Sequence, residues 1–325
     1  MQLGPKTAAF LKKQQEENVA PDLPPFSEET IQVYRDYNIE LFREWSGNFP
    51  EGYSINSFSN KTFQLDNNSE IKTKIFTPPG YDASKHSTVI FFQGNAMVFD
   101  MLESHLPGYA RLALSGNCKV IGVDTPLAPE YSPQEINDMS YALVKSIIFN
   151  ANNLNINPQN LILAGYSGGG SLAANISARA RTNKDIYIKH LFLLSPALDF
   201  TLETRINSPY KKYQDMDSSS NSAEAIKPIL ELYYKNVPPS LPLISPMFEP
   251  NLENIPPTTI ILPEFDACRG DGEAYALRLK EAGVPVEVLI CEGQTHLFFI
   301  ARGVLGDEPD PAMVMAQTIK NWQTN

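Results

Sequence analysis

The stretch Leu161-Ile162-Leu163-Ala164-Gly165-Tyr166-Ser167-Gly168-Gly169-Gly170 decides the fold. Its first four residues form a short apolar run, the pattern of a strand buried on both faces of a parallel sheet. Residues 171–180 read as a helix. Between them the chain must turn sharply from strand to helix. Such a turn pushes Ser167 into a strained, exposed position, and Gly165 and Gly169 leave it room. The following helix N-terminus offers backbone N–H groups to developing negative charge. No Lys-Ser/Thr pair follows the glycines, which excludes a phosphate-cradling P-loop. The remaining alternative is a tight structural turn. The strand-turn-helix context favours a nucleophile.

Outward from this turn, short β-rich runs at 71–76, 87–92, 119–123, 160–164, 190–194, 258–262 and 286–290, most of them largely apolar, read as strands. Helical patterns lie at roughly 100–114, 133–150, 169–181 and 271–282. The alternation predicts an α/β fold with a mostly parallel, doubly wound central sheet flanked by helices. Two stretches depart from it. Residues 1–50 carry helical patterns before the first strand, with Ser27-Glu28-Glu29 as a helix start. Residues 201–245 form a long insertion holding a helical stretch at 223–235 and a Pro-rich run at 237–242. Ser218-Ser219-Ser220 within it reads as a loop. An insertion of that length in a compact domain is usually functional. Both stretches are read as one helical cap over the sheet's carboxyl edge, where ligands bind in such folds. Residues 1–325 then form a single catalytic domain.

A serine hydroxyl needs a general base at neutral pH, and on this kind of sheet the partners follow in the order Ser, acid, His. His190 begins a strand run and reads as structural, whereas His296 follows a strand and falls in a loop at its carboxyl end. His86 and His105 precede the nucleophile and read as surface residues. For the acid, Glu264 and Asp266 compete at the end of the run 258–262. Asp271 reads as a helix-capping residue. The catalytic set is therefore Ser167, His296 and an acid. An oxyanion hole needs a second loop after an earlier strand, and Gln93-Gly94-Asn95-Ala96 follows the run 87–92. Its donors are expected to be the backbone N–H groups of Asn95, Ala96 and Gly168; the bland alternative for Gly-Asn is an ordinary turn. Gln93 is expected to brace that loop.

Composition bounds the partners. Lys and Arg number 26 against 37 Asp and Glu, a net charge of −11 without a basic cluster. That argues against nucleic acid and anionic membranes. Cys118, Cys268 and Cys291 fit neither a disulfide framework nor a zinc site. No HExxH, dinucleotide fingerprint or Cys/His cluster is present, so no metal or organic cofactor is implied. The N-terminal residues lack the apolar core of a signal peptide, and no apolar run approaches the ~18 residues that span a bilayer. The expectation is a soluble cytoplasmic protein acting on a small molecule. Unconventional export and a homodimer are left open.

With these residues in view, the sequence resembles the hormone-sensitive-lipase-like branch of the α/β-hydrolases, which includes bacterial carboxylesterases and acetyl esterases. The resemblance covers nearly the whole chain. Asp124-Thr125-Pro126-Leu127-Ala128-Pro129-Glu130 matches the family's Asp-Tyr-Arg-Leu-Ala-Pro-Glu, and Ile244-Ser245-Pro246-Met247-Phe248 is similar to its Ala-Ser-Pro-Leu-Phe. Asp266, with Gly272-Glu273-Ala274-Tyr275 after it, matches the block that holds the family's catalytic Asp, so the resemblance favours Asp266 over Glu264. His296-Leu297-Phe298 resembles its His-Gly-Phe. Three departures stand out. Gln93-Gly94-Asn95-Ala96 replaces His-Gly-Gly-Gly and resembles the His-Gly-Asn-Ala of other α/β-hydrolases. Gly165-Tyr166-Ser167-Gly168-Gly169 replaces Gly-Asp-Ser-Ala-Gly, and Pro126 stands where the family has Arg. The resemblance implies hydrolysis of short- to medium-chain carboxylic esters through an acyl-enzyme. The same triad also serves amides, so an amidase, deacetylase or peptidase shares the pattern. A non-catalytic ligand-binding scaffold is the third reading, and such proteins usually lose a triad member. Tyr210, Tyr213, Tyr233 and Tyr234 are candidates for an acyl pocket or for the core of the cap.

Overall fold

The computed structural model describes residues 2–17, 23–65, 69–213 and 223–323. Eight strands form one sheet: β1 (Ser59–Gln64), β2 (Glu70–Phe76), β3 (Thr88–Phe92), β4 (Lys119–Val123), β5 (Leu161–Tyr166), β6 (His190–Leu194), β7 (Thr258–Phe265) and β8 (Val286–Thr295). Their spatial order is β1-β2-β4-β3-β5-β6-β7-β8. β2 runs antiparallel to both β1 and β4. From β4 to β8 every pairing is parallel. The α/β expectation holds.

The central strands β3, β4, β5 and β6 are buried along their whole length, which is why they read as continuous apolar runs. Successive side chains still point to opposite faces. Ile90, Phe92, Leu161, Leu163, Leu191 and Leu193 join one core, with helices Pro133–Phe149, Gly168–Asn183 and Arg269–Glu281. Val89, Phe91, Ile162, Ala164, Phe192 and Leu194 join the other, with helices Leu102–Gly116 and Pro311–Gln323. Helix Pro133–Phe149 starts at a capping box, in which the Ser132 hydroxyl accepts from the Glu135 N–H and the Glu135 carboxylate accepts from the Ser132 N–H.

Three differences from the sequence reading have local causes. β1 was not foreseen: it is an edge strand of mostly polar residues, Ser-Asn-Lys-Thr-Phe-Gln, with only Phe63 fully buried. β7 and β8 continue past 262 and 290 and remain paired as far as Phe265 opposite Thr295, across an irregularity between Pro263 and Phe265. The β-rich runs read as these strands end at Leu262 and Ile290. The second N-terminal helix starts at Ile31 rather than near Ser27, because Ser27 and Thr30 exchange hydrogen bonds in a turn before it.

Helix Pro5–Glu17 is anchored at its start by Asp307, whose carboxylate accepts from the N–H groups of Lys6 and Thr7 at 3.0 and 2.7 Å. Helix Ile31–Trp45 carries Phe42 and Trp45, and Phe10 meets the Trp45 ring edge-on at 5.0 Å. In the insertion after β6, helices Glu203–Asn207 and Ala223–Tyr234 are formed. The loop reading at Ser218-Ser219-Ser220 lies outside the described residues. Among the described residues no helix is long and apolar enough to cross a membrane.

Candidate active site

Ser167 sits between β5 and helix Gly168–Asn183 with φ 51° and ψ −120°. Few L-residues adopt that conformation, so the surroundings must hold it. The Ser167 N–H donates to Leu194 O at 3.0 Å, and its carbonyl accepts from Gly170 N–H at 2.9 Å and Ala197 N–H at 3.1 Å. The elbow admits no side chain at either flanking glycine. A Cβ on Gly165 would lie 2.1 Å from Gly169 O, and one on Gly169 would lie 2.3 Å from Phe92 O. Ser167 itself is half-buried, in a stretch otherwise closed to solvent.

The next residue after β7 is Asp266, and the next after β8 is His296. Pairing of the strand ends brings the two side chains together. His296 Nε2 lies 3.1 Å from Ser167 Oγ, and His296 Nδ1 lies 2.9 Å from Asp266 Oδ2. Asp266 Oδ1 accepts from the Cys268 N–H at 2.8 Å. The competing carboxylate, Glu264, faces elsewhere: it accepts from the Gly293 N–H at 2.8 Å, which fixes the bulge before His296. Burial penalises the Asp266 charge, but His296, the Ser195 hydroxyl and the Cys268 N–H outweigh it and hold the carboxyl below its usual range. Burial likewise works against a charged His296, yet the Asp266 carboxylate and the Cys268 thiol beside it carry the imidazole well above its usual value.

Ser195 was missed by the sequence reading. It follows β6, is fully buried, and lies 2.9 Å from His296 Nδ1 while its hydroxyl donates to Asp266 Oδ2. The one available signal was its place after a buried strand, one strand before the acid. Tyr166 was also unassigned. Its hydroxyl donates to the His296 carbonyl at 2.6 Å and its ring lies 5.4 Å from the imidazole, so the elbow tyrosine fixes the backbone that carries His296.

The loop after β3 is held from three sides. Gln93 Oε1 accepts from Met101 N–H at 3.0 Å and its Nε2 donates to Thr125 Oγ1 at 3.2 Å, so Gln93 does brace the loop. Asn95 Nδ2 donates to the same hydroxyl at 2.8 Å, and Asn95 Oδ1 accepts from Met97 N–H at 2.8 Å. The Asn95 amide is therefore engaged within the protein. Ala96 and Met97 both have positive φ, 47° and 67°. A Cβ on Gly168 would stand 3.4 Å from Ala96 N, so the two loops meet beside the nucleophile. Among the described residues, the N–H groups of Asn95, Ala96 and Gly168 have no backbone acceptor.

Two histidine readings are corrected. His105 is not a surface residue but wholly buried: its Nε2 accepts from Gly94 N–H at 2.9 Å and its Nδ1 donates to Met101 O at 2.8 Å. Burial lowers its pKa to about 4, so it stays neutral and keeps Nε2 as an acceptor. His86 is half-buried, accepting from Asp82 N–H at 2.9 Å. His190 is structural, 2.9 Å from Thr259 Oγ1 and 4.2 Å from the Trp322 ring. Asp271 lies in the first turn of helix Arg269–Glu281 but does not cap it. Its carboxylate accepts from the N–H groups of Leu198 and Asp199 and lies 3.3 Å from the Arg205 guanidinium. Burial, only partly offset by Arg205, raises its pKa to about 6.

A cavity of about 930 Å³ opens over Ser167 and His296. Its walls are Phe10, Tyr37, Leu41 and Trp45 of the N-terminal helices and Ile226 and Ile229 of helix Ala223–Tyr234. The four insertion tyrosines do not line it. Tyr233 packs on Phe200 at 5.5 Å, Tyr213 meets Phe265 edge-on at 5.0 Å, Tyr210 donates to the Glu273 carboxylate, and Tyr234 packs against the core. Asp266, Cys268 and His296 are the one group among the described residues with metal-ligand proximity, and two of them are already engaged with each other.

A serine at a strand-to-helix turn, with histidine and carboxylate after later strands, is the layout of a serine hydrolase on an α/β sheet. Residues 89–300, well over half of the chain, match the model of a family described by the alpha/beta hydrolase fold, and the chain belongs to that family. An arylesterase of Saccharolobus solfataricus is 30% identical over 234 residues, covering 70% of this chain and 73% of that protein. An ethyl acetate hydrolase of Pseudomonas putida is 25% identical over 252 residues, covering 75% of this chain and 76% of that one. Among solved structures, an alpha/beta hydrolase enzyme from the metagenome of Lake Arreo, Spain, superposes with a TM-score of 0.87 at 23% identity, over 99% of each chain.

Proposed function

We propose that this protein hydrolyses carboxylic esters through an acyl-enzyme on Ser167. The observation that carries the reading is the continuous relay from Ser167 Oγ through His296 to Asp266, at 3.1 and 2.9 Å, on the floor of the cavity. Ser167 Oγ attacks the ester carbonyl while His296 Nε2 takes its proton. Asp266 holds the tautomer with Nδ1 protonated and stabilises the imidazolium. The tetrahedral oxyanion is received by the N–H groups of Ala96 and Gly168, with Asn95 beside them. His296 then protonates the leaving alcohol, and a water activated by the same imidazole releases the acid. These steps ask for no cofactor.

The cap reading, about 1–50 and 201–245, is supported by the side chains both segments send into the cavity wall. Short- to medium-chain acyl esters are the proposed substrates. The three cysteines are buried and unpaired, which suits a reducing compartment such as the cytoplasm. The test is a panel of nitrophenyl esters, acetyl to long-chain, beside the matching anilides, with wild type and Ser167→Ala. Ester turnover lost by several orders of magnitude in a folded Ser167→Ala supports the reading. Retained activity overturns the nucleophile, and faster anilide than ester cleavage overturns the substrate class.

A further inference from the structure

We propose that Ser195 is a fourth member of the relay, a positioning residue whose hydroxyl tunes the Asp266–His296 pair. This rests on the triad reading above. Ser195 has no other visible task. Its backbone N–H is spent on Ile261 O at 2.8 Å, its side chain is fully buried, and its hydroxyl reaches both partners of the pair. Its φ of 39° is left-handed, a conformation that disfavours any residue with a Cβ. Glycine would relieve that strain; serine bears it and brings a hydroxyl to the pair.

The chemistry follows from what converges on Asp266. Oδ1 accepts from the Cys268 N–H, while Oδ2 accepts from both His296 Nδ1–H and the Ser195 hydroxyl. A donor on Oδ2 withdraws part of the negative charge that the imidazolium would otherwise feel. It therefore lowers the basicity of His296 towards the working pH and limits how long the base stays protonated. It also fixes the rotation of the carboxylate, and through it the tilt of the ring towards Ser167. The other charged and titratable groups facing the pair are the Cys268 thiol, the Arg205 guanidinium and the Tyr166 hydroxyl, with Asp271 beyond Arg205. All of them are present in the Ser195 variants as well as in the wild type.

The sign of the effect is fixed. Without the hydroxyl, Asp266 presents more charge to His296, the imidazolium is favoured, and a higher pH is needed to free the base. The test is the pH profile of kcat/KM for a nitrophenyl ester with wild type, Ser195→Ala and Ser195→Gly. Ala removes the hydroxyl alone; Gly removes it and also relaxes the backbone, so one folded variant suffices if the other fails to fold. The expected result is an acid limb moved up by roughly half a unit to one unit in both variants. Plateau kcat should fall roughly threefold to tenfold with KM unchanged. A folded variant whose acid limb stays at the wild-type position overturns the inference, whatever happens to kcat. If wild type hydrolyses no ester, the triad reading fails and this inference falls with it. An active wild type with an unmoved limb refutes the inference alone.

Discussion

At the residue scale, the proposed oxyanion loop separates backbone roles from side-chain roles. Ala96 lines the cavity at a φ of 47°, which proline cannot adopt, and its N–H is a proposed oxyanion donor. Ala96→Pro should therefore lose the donor and distort the loop, and loss of one such donor typically costs about 100- to 1000-fold in kcat. Ala96→Gly accepts the same φ and should keep most activity. Asn95 differs, because its amide ties Thr125 to Met97 inside the loop. Asn95→Gly should cost about tenfold in kcat by loosening the loop. A loss as large as that of Ala96→Pro would mean that the amide reaches the substrate. For the acid, Asp266→Asn should cost up to about 10,000-fold by favouring the wrong imidazole tautomer. Glu264→Gln keeps an oxygen for the Gly293 N–H and should be mild; the reverse order would hand the role to Glu264. The pH dependence follows from His296, whose pKa is carried well above its usual 6.5. The base works only when neutral, so activity should rise with pH and its acid limb should lie above 6.5. A limb below that value in the kcat/KM profile would contradict the Asp266–His296 coupling.

At the element scale, helix Leu102–Gly116 supports the oxyanion loop through His105. His105→Leu keeps volume and apolarity but leaves the Gly94 N–H buried without its acceptor, a cost of about 1–3 kcal/mol. The expected result is a lower thermal midpoint and a lower kcat at nearly constant KM; unchanged kcat in a folded variant would show that the loop holds itself. The sequence contained a signal for this role. His105, Tyr109, Leu112 and Gly116 share the helix face that is buried, and a histidine on an apolar stripe argues against a surface position. The legible parts of the molecule were those written locally: the buried strands, the elbow glycines, and the order Ser, acid, His. The illegible parts depend on distant contacts. The runs read as β7 and β8 end at 262 and 290, yet the strands stay paired past Pro263 and Gly293, because a neighbouring strand offsets their poor propensity. Ser195 is an unremarkable serine until β7 brings Asp266 beside it. The insertion tyrosines looked suited to an acyl pocket by composition, yet the cavity wall is built largely by N-terminal helices far from Ser167 in sequence.

At the scale of the whole molecule, the question is what holds those N-terminal helices over the site. Arg35 clamps the second of them, helix Ile31–Trp45. Its Nε donates to Val98 O at 2.8 Å, just after the oxyanion loop, and one terminal nitrogen donates to Ala128 O at 2.8 Å. Both terminal nitrogens also meet Glu130, at 2.6 and 2.8 Å. The two sets of contacts are not of equal weight. Glu130 is 51% exposed at its side chain, against 9% for Arg35, so solvent screens the ion pair and its removal should cost no more than about 1 kcal/mol. The carbonyls of Val98 and Ala128 face a buried guanidinium, and leaving both unpaired should cost about 1–3 kcal/mol each. Glu130→Gln is therefore expected to change the thermal midpoint and the KM little. Arg35→Met, which keeps the length of the side chain and removes every donor, should lower the midpoint by several degrees. It should also raise KM, more for bulky esters than for acetate esters, because the displaced helix carries Tyr37, Leu41 and Trp45 of the cavity wall. Thermal unfolding and steady-state kinetics on both variants decide the matter. Equal losses from Glu130→Gln and Arg35→Met would show that the ion pair rather than the buried carbonyl contacts docks the helix. An unchanged KM in a folded Arg35→Met would show that the N-terminal helices stay over the site without this clamp.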